Sequence, residues 1–143
     1  MYYLKRKQKT GRGKTDYIKK LDKVFSLYIR LRDAYPNGMF RCISCGQIKP
    51  FSQADAGHYF SRTHMNTRYD EDNVNSECRF CNRFKADHLI SYRENLIKRI
   101  GEQRYDNLEW KSHQTKKWSD FELKELIKYY TILSEKIRKE KGL

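Results

Sequence analysis

Several kinds of residue are scarce in this sequence, and each scarcity excludes a class of protein. Apolar residues make up 38% of the 143 residues, and no apolar run approaches the roughly 20 residues that a membrane-spanning helix needs. The segment from Met1 to Lys7 has no apolar core of the kind that a secretory signal requires. We therefore expect no membrane association and a place in the reducing cytoplasm. There, the four cysteines are expected to bind metal rather than form disulfides.

Acidic residues are outnumbered by basic ones, which makes the chain strongly positive. The balance of 31 Lys and Arg against 18 Asp and Glu gives a formal net charge of +13. Such an excess attracts polyanions from a distance and favours a partner that carries many phosphates. A ribosome-associated or generally basic soluble protein is the alternative that charge alone leaves open. The length suits one domain.

The pattern of apolar residues divides the chain into a basic arm at residues 1–14 and one domain at residues 15–143. Apolar side chains recur at spacings of three and four over residues 16–34, 89–100 and 123–137, which predicts amphipathic helices. Between the first two helices the chain is short of periodic stretches and rich in Cys, His, Asn and Gly. The predicted parts of the domain are an N-terminal helix (15–38), a metal-binding finger (39–88) and C-terminal helices (89–143).

The four cysteines form two C-x2-C pairs, Cys42 with Cys45 and Cys78 with Cys81, and 32 residues separate the pairs. A two-residue spacer lets both thiolates of a pair face one ion, and two such pairs complete a tetrahedral four-thiolate site for Zn²⁺. A redox motif or an iron–sulfur cluster is the competing interpretation, although a redox motif does not explain why two pairs are present. Four thiolates leave no open position on zinc, so we expect a structural role.

The segment between the cysteine pairs carries polar motifs at defined spacing. It contains Asp55-Ala-Gly-His58-Tyr-Phe-Ser-Arg62 and then Asp72-Asn73-Val-Asn75-Ser-Glu77, and Asn82 follows the last cysteine directly. This order, C-x2-C…GH…DN-x4-C-x2-C-N, resembles that of zinc-stapled His-Me finger nucleases. With the following Tyr-Arg-Glu-Asn-Leu and Ile-Gly, it resembles more specifically the NinG/Rap family of lambdoid-phage recombination endonucleases. The endonuclease VII of T-even phages is a more distant likeness.

The resemblance implies an α+β fold, in which a zinc-stapled ββα-metal (His-Me finger) core is flanked by amphipathic helices. It implies strands over about residues 51–60 and 73–78 and a finger helix that starts near residue 80. It also implies metal-dependent cleavage of DNA, of branched or Holliday-junction form, during phage recombination in the cytoplasm of a bacterial host. The substrate class follows from the resemblance alone.

The resemblance also assigns roles to residues. His58 becomes the general base, because neutral imidazole can take a proton from water near neutral pH. Asn82 becomes a ligand of the catalytic Mg²⁺ or Mn²⁺, which would stabilise charge on the scissile phosphate. Asn73 takes the role of the middle Asn, which orients the histidine or its loop.

One departure from the wider superfamily concerns the carboxylate that often precedes the histidine and binds the metal. Gly57 occupies that position here, and the nearest acid is Asp55. Residues 55 and 58 face opposite sides of an extended strand, so we expect Asp55 to reach the same ion only if the backbone bends at Ala56 and Gly57. Glu77 and Asp72 are the next candidates for this ligand.

Three further residues near the motifs are considered for DNA contact or catalysis. Two arginines are candidate phosphate clamps, since guanidinium binds phosphate in a bidentate way. Arg62 is predicted to lie on the same face of the strand as His58, and Arg68 lies in the following loop. A solvated Arg68 is an equal alternative. His88 follows the second cysteine pair, where the finger helix is expected, and we predict no role for it despite the Asp87-His88 pair.

The helices outside the finger admit two interpretations. They pack on the finger and present cations to DNA, or they form a homodimer interface, as symmetric cutting of a two-fold junction requires. Two rival functions also stay open, namely a sequence-specific HNH restriction or homing nuclease and a non-catalytic zinc-ribbon DNA-binding protein. The chain is short for a dedicated base-reading module, which counts against the restriction or homing nuclease.

Overall fold

A computed structural model describes residues 14–143 of the protein, with side chains from residue 16 onward. The predicted basic arm lies outside the described residues except for its last position, Lys14, where the first helix begins. The helices are α1 (Lys14–Asp33), α2 (Arg79–Phe84), α3 (His88–Ile100), α4 (Glu102–Ser112) and α5 (Asp120–Lys141). The strands are β1 (Met39–Arg41), β2 (Ile48–Pro50), β3 (Ala54–His58) and β4 (Val74–Cys78).

The strands form two separate antiparallel hairpins. β1 pairs with β2, with Met39 opposite Pro50. β3 pairs with β4 in an unbroken register that runs from Ala54 opposite Cys78 to His58 opposite Val74. The second hairpin leads directly into α2, so the chain follows a strand, strand, helix order.

The largest apolar core lies between α1 and α5, which pack along each other. Phe25 is its centre, since its ring meets Tyr28, Tyr69 and Tyr130 at centroid distances of 4.9 to 6.3 Å. The apolar stripe predicted for the last helix lies against this core, with Leu123 and Ile127 buried in it. The stripe is therefore used within the chain. A homodimer would need a different surface.

The hairpin of β3 and β4 is held between two sets of helices. Ala56 on β3 packs against the core of α1 and α5. On the other face, the hydroxyl of Tyr92 in α3 donates a hydrogen bond of 2.6 Å to the carbonyl of Gly57. Asp33, at the end of α1, accepts a hydrogen bond of 2.8 Å from the amide of Ser76 in β4. These contacts fix the hairpin against the helices on both faces.

The mixed α+β class with small sheets agrees with the sequence prediction, and the strands are shorter than predicted. The predicted strand over residues 51–60 divides into a 3₁₀ turn at Phe51–Gln53 and β3. β3 ends at His58 because Phe60, two residues later, bonds to the side chain of Asn73 and not to the backbone of a neighbouring strand. Asn73 Oδ1 accepts from the amide of Phe60 at 2.8 Å, and Asn73 Nδ2 donates to the carbonyl of Phe60 at 2.9 Å. Within residues 14–143, no helix is both long and apolar enough to cross a membrane.

Candidate active site and metal centre

The four cysteines converge at one end of the β3–β4 hairpin. Cys42 and Cys45 lie in the turn after β1, Cys78 ends β4, and Cys81 lies in α2. Their four Sγ atoms all lie within 4.8 Å of one another, and tetrahedral zinc with bonds of about 2.3 Å separates its sulfur ligands by about 3.8 Å. The amide of Cys78 also donates to Cys42 Sγ at 3.2 Å. The predicted convergence is confirmed, and the four cysteines could bind zinc.

A cleft of about 570 Å³ runs beside this cluster, along the edge of β3 that does not pair with β4. One wall comes from α1 and the other from α2 and the start of α3, so residues distant in sequence meet across it. The polar side chains that line the cleft are Asp22, Ser26, Asp55, His58, Ser61, Arg62, Asn82, Arg83 and His88.

His58 enters the cleft from the end of β3. Its Nε2 lies 3.0 Å from the backbone carbonyl oxygen of Arg68. A carbonyl oxygen can only accept, so Nε2 carries the proton of the neutral ring and Nδ1 keeps its lone pair. Burial lowers the pKa of His58, and the positive charges of Arg62 and Arg68 lower it further, against the raising effect of the hydrogen bond to the Arg68 carbonyl. The geometry therefore gives a neutral imidazole whose basic nitrogen, Nδ1, has no partner among the side chains and backbone described here.

Asn73 lies behind this histidine and is fully buried. Besides its two bonds to Phe60, its Nδ2 donates to the carbonyl of Thr67 at 3.0 Å. These bonds tie the two ends of the loop between β3 and β4, which includes the carbonyl of Arg68 that holds His58. Asn73 lies outside the cleft lining, and its side-chain bonds hold the loop behind His58.

Asp55 and Asn82 are adjacent on the other side of the cleft. Asn82 Nδ2 donates to Asp55 Oδ2 at 3.0 Å, and Arg83 makes bonds of 2.8 and 2.9 Å to the two carboxylate oxygens. Burial alone raises the pKa of Asp55, but the hydrogen bonds from Arg83 and Asn82 outweigh it, and the pKa lies below its ordinary value. Asp55 is thus an ionised carboxylate on the cleft wall.

The expected bend at Ala56 and Gly57 is absent, since β3 keeps a regular register with β4 through both residues. Asp55 and His58 line one cleft nevertheless. They do so because the cleft follows the edge of the strand, where side chains from both faces can reach it. A bulge is therefore unnecessary for the two side chains to share a site.

The two predicted phosphate clamps differ in their surroundings. Arg62 lies in the loop after β3, because the strand ends at His58. Its side chain is 63% exposed and lines the cleft. The side chain of Arg68 is only 15% exposed, and its guanidinium binds Asp22 of α1 with distances of 3.0 and 2.6 Å. Arg62 meets Asp22 only at 3.9 Å and is mostly exposed at the cleft, whereas Arg68 is held by Asp22 through two short bonds.

The sequence interpretation did not anticipate that His88 would lie in the cleft. The sequence predicts no role for His88, yet it lines the same cleft as His58. Its Nδ1 lies 2.5 Å from Oε2 of Glu77, which also accepts a hydrogen bond from the hydroxyl of Ser44. Glu77 is fully buried, and its Oε1 has no hydrogen-bond partner among the described residues. Asp22 and Arg83 were likewise missed, since neither belongs to a recognisable motif.

Gly57 leaves room for this buried carboxylate. A Cβ placed on Gly57 would lie 2.6 Å from Glu77 Oε1 and 3.0 Å from Glu77 Cβ. The space beside Gly57 is therefore filled by a carboxylate from the neighbouring strand. Glu77, which the sequence offers as a candidate metal ligand, contacts His88 instead and does not line the cleft. Asp72 is also excluded from the cleft, since it pairs with Arg104 on α4.

These observations define a small α+β protein in which a four-cysteine cluster adjoins a cleft with two histidines. The chain belongs to the NinG family of lambdoid phage proteins, because the family model described as Bacteriophage Lambda NinG protein matches residues 2–140.

Three similar proteins, each called Protein ninG, come from phages of enteric bacteria. The chain is 34% identical over 115 residues to that of Escherichia phage lambda, which covers 80% of this chain and 53% of the relative. It is 35% identical over 115 residues to that of Salmonella phage P22, with 80% and 54% covered. It is 36% identical over 104 residues to that of Escherichia phage 933W, with 72% and 49% covered. The chain thus spans about half the length of these relatives. No solved structure matches it.

Proposed function

We propose that this protein is a divalent-metal-dependent DNA endonuclease of the HNH-like, His-Me finger type. The observation that carries the proposal is the state of His58. Its Nε2 is held by the Arg68 carbonyl and its Nδ1 makes no hydrogen bond to the described residues, in a cleft that also contains an ionised carboxylate. A general base needs a neutral ring, a fixed orientation and access to the water that it deprotonates, and His58 has all three.

The metal fits the residues on the opposite wall. Mg²⁺ binds few protein oxygens and keeps several waters, and Asp55 with Asn82 offers such a sparse pair. Asn82 Nδ2 lies 3.0 Å from Asp55 Oδ2. Neighbouring ligands of an octahedral ion with bonds of 2.0–2.1 Å are separated by about the same distance, roughly 3 Å. The amide would turn over to present its oxygen. Arg83, whose side chain is 52% exposed, would leave Asp55. Mn²⁺ fits the same pair.

The proposed reaction uses these groups as follows. His58 takes a proton from water at Nδ1, and the resulting hydroxide forms a bond to phosphorus while the bond from phosphorus to the 3′ oxygen breaks. The 3′ oxygen takes a proton from solvent, which leaves a 3′ hydroxyl and a 5′ phosphate. A bound divalent ion would supply positive charge beside the phosphate. Arg62, exposed at the cleft, binds a phosphate of the strand.

The remaining parts of the proposal concern the zinc and the substrate. We place a structural Zn²⁺ on the four cysteines, since their coordination sphere has no open position. The net charge of +13 supports a polyanionic partner. The other parts of the proposal come from the resemblance to the Rap endonucleases and, more distantly, to endonuclease VII. They are a branched or Holliday-junction DNA substrate, a homodimer that cuts it symmetrically, action in phage recombination and a place in the host cytoplasm.

The test compares the parent protein with His58→Ala on linear duplex, flap and four-way junction DNA, with Mg²⁺ or Mn²⁺ and with EDTA. His113→Ala is the matched control, because His113 is exposed and lies outside the cleft. We expect cleavage by the parent and the control and its loss in His58→Ala, with DNA binding retained. A parent that binds DNA and cleaves none of the three substrates would favour a non-catalytic zinc-ribbon protein. Cleavage of linear duplex at one sequence, with four-way junctions ignored, would favour a restriction or homing enzyme.

A further inference from the structure

We propose that His88 is a third protein ligand of the divalent ion beside Asp55 and Asn82, and that Glu77 holds it in place. This inference rests on the proposed function for the presence of the ion. It adds a residue that the sequence pattern does not assign to the site.

The first argument is the state of the His88 ring. Oε2 of Glu77 accepts from the Ser44 hydroxyl and lies 2.5 Å from His88 Nδ1. Oε2 of an ionised carboxylate accepts both bonds, so we assign the hydrogen on Nδ1 as the donor. The neutral ring then has its lone pair on Nε2. This nitrogen makes no hydrogen bond within residues 14–143.

The second argument is what this lone pair can bind. His88 lines the cleft, and its side chain is 17% exposed, so Nε2 is the nitrogen left for a ligand there. A phosphate diester oxygen has no proton to donate, and it cannot satisfy a lone pair. A divalent cation can. Histidines that bind metals almost always donate their other ring N–H to a carboxylate or carbonyl, which is the arrangement of Glu77 and His88.

The third argument is position. Asp55 and Glu77 are directly opposite each other in the register of β3 and β4. Directly opposite residues have their side chains on one face of the sheet, with Cβ atoms roughly 4.5–5.5 Å apart. From that shared face, Asp55 reaches Asn82 and Glu77 reaches His88. The carboxylate–amide pair and the histidine therefore lie next to each other in the cleft.

His58 is placed differently. It alternates with Asp55 and Gly57 along β3, so its side chain leaves the opposite face of the strand. Its Nε2 is already bound to the Arg68 carbonyl. The two histidines therefore have separate roles, His58 as the base and His88 as the ligand.

An imidazole ligand has a measurable consequence for metal choice. Nitrogen ligands favour Mn²⁺ and later transition metals over Mg²⁺ and Ca²⁺. The probe is therefore Mn²⁺, titrated without DNA into protein that carries one zinc ion per chain, and the bound ion is followed by electron paramagnetic resonance. We expect His88→Gln and Glu77→Gln each to weaken Mn²⁺ binding by about 10–100-fold. His113→Gln, at the exposed histidine used above, should leave it unchanged.

A second readout identifies the ligand. The electron spin echo of bound Mn²⁺ should show coupling to an imidazole nitrogen that is lost in His88→Gln and kept in His58→Gln. Zinc content and circular dichroism establish whether each variant is folded. If Glu77→Gln does not fold, His88→Gln alone is sufficient to test the inference. Equal Mn²⁺ affinity in His88→Gln and the parent would overturn the inference, as would a parent that binds no Mn²⁺. Binding of Mn²⁺ that depends on His88, in a protein that cleaves no DNA, would uphold the site and refute the nuclease.

Discussion

Replacement of Gly57 by alanine tests how closely the two strands of the β3–β4 hairpin approach each other. The new Cβ would lie 2.6 Å from Glu77 Oε1 and 3.0 Å from Glu77 Cβ, whereas optimal contacts between non-bonded heavy atoms are about 3.5–4.0 Å. Glu77 is fully buried, and its other oxygen is bound to Ser44 and His88, so the side chain has little freedom to move aside. Overpacking of this kind costs roughly 1–3 kcal/mol.

A second effect of the same substitution has the opposite sign. Gly57 does not have a positive φ, so alanine fits its backbone and restricts the unfolded chain, which stabilises the fold by about 0.4–1 kcal/mol. The clash is the larger effect. We expect a net loss of roughly 1–2 kcal/mol, which lowers the Tm by about 3–8 °C for a chain of this length.

The assay is thermal unfolding of zinc-loaded Gly57→Ala, Glu77→Ala and the double variant, followed by circular dichroism. Glu77→Ala removes the atoms that the new Cβ would meet. In that background, Gly57→Ala is therefore expected to be neutral or stabilising. The difference between the two backgrounds gives the coupling between positions 57 and 77, for which residues in contact show about 0.5–3 kcal/mol. A higher Tm for Gly57→Ala in the parent background would refute the packing described here.

Four further outcomes follow from the structure. The pKa of His58 is lowered by burial first and then by Arg62 and Arg68, so cleavage should persist as the pH falls through the ordinary histidine range and fail only below it. An earlier loss would contradict a neutral base. Removal of zinc by a chelator should unfold the cysteine cluster and lower the Tm, because metal binding contributes directly to folding; a constant Tm would exclude a structural ion. Arg62→Ala should weaken DNA binding and reduce its salt slope by about 1 at constant Tm. Arg68→Ala should cost stability, roughly 1–3 kcal/mol, because it leaves Asp22 without its bidentate partner, and a DNA-binding defect alone would contradict this assignment.

The parts of the fold that the sequence predicts are those set by short-range patterns. The convergence of the cysteines follows from two local spacings and the chemistry of one ion. The three long helices, α1, α3 and α5, follow from apolar periodicity. α5 begins at a capping box, in which the Ser119 hydroxyl accepts from the amide of Glu122 and the Glu122 side chain accepts from the amide of Ser119. Each of these depends on residues only a few positions apart. They are recognisable without knowledge of how the chain packs.

The parts of the site that the sequence does not reveal depend on contacts between distant elements. His88 is set in the cleft by Glu77, eleven positions earlier on the neighbouring strand. His58 is oriented by a backbone carbonyl, which has no signature in the sequence. Asp22 belongs to α1, and the sequence pattern of this helix predicts only which apolar residues face the core. Asp22 lies in the cleft wall, where it binds Arg68. Strand register and helix docking determine all three contacts.

The glycine before His58 and the histidine at the start of α3 can be understood together. An acid at position 57 would occupy the space that Glu77 Oε1 now takes. In the proposed site this negative charge comes instead from Glu77 on β4, which acts on the metal through His88. Asp55 supplies the carboxylate that binds the metal directly. The two arrangements exclude each other, because one volume cannot hold both side chains. Gly57→Asp should therefore fail to restore Mn²⁺ binding to His88→Gln while Glu77 is present, and should restore it in part when Glu77 is also replaced by alanine. Restoration with Glu77 in place, measured by the same Mn²⁺ titration, would show that the two carboxylates do not compete for this space.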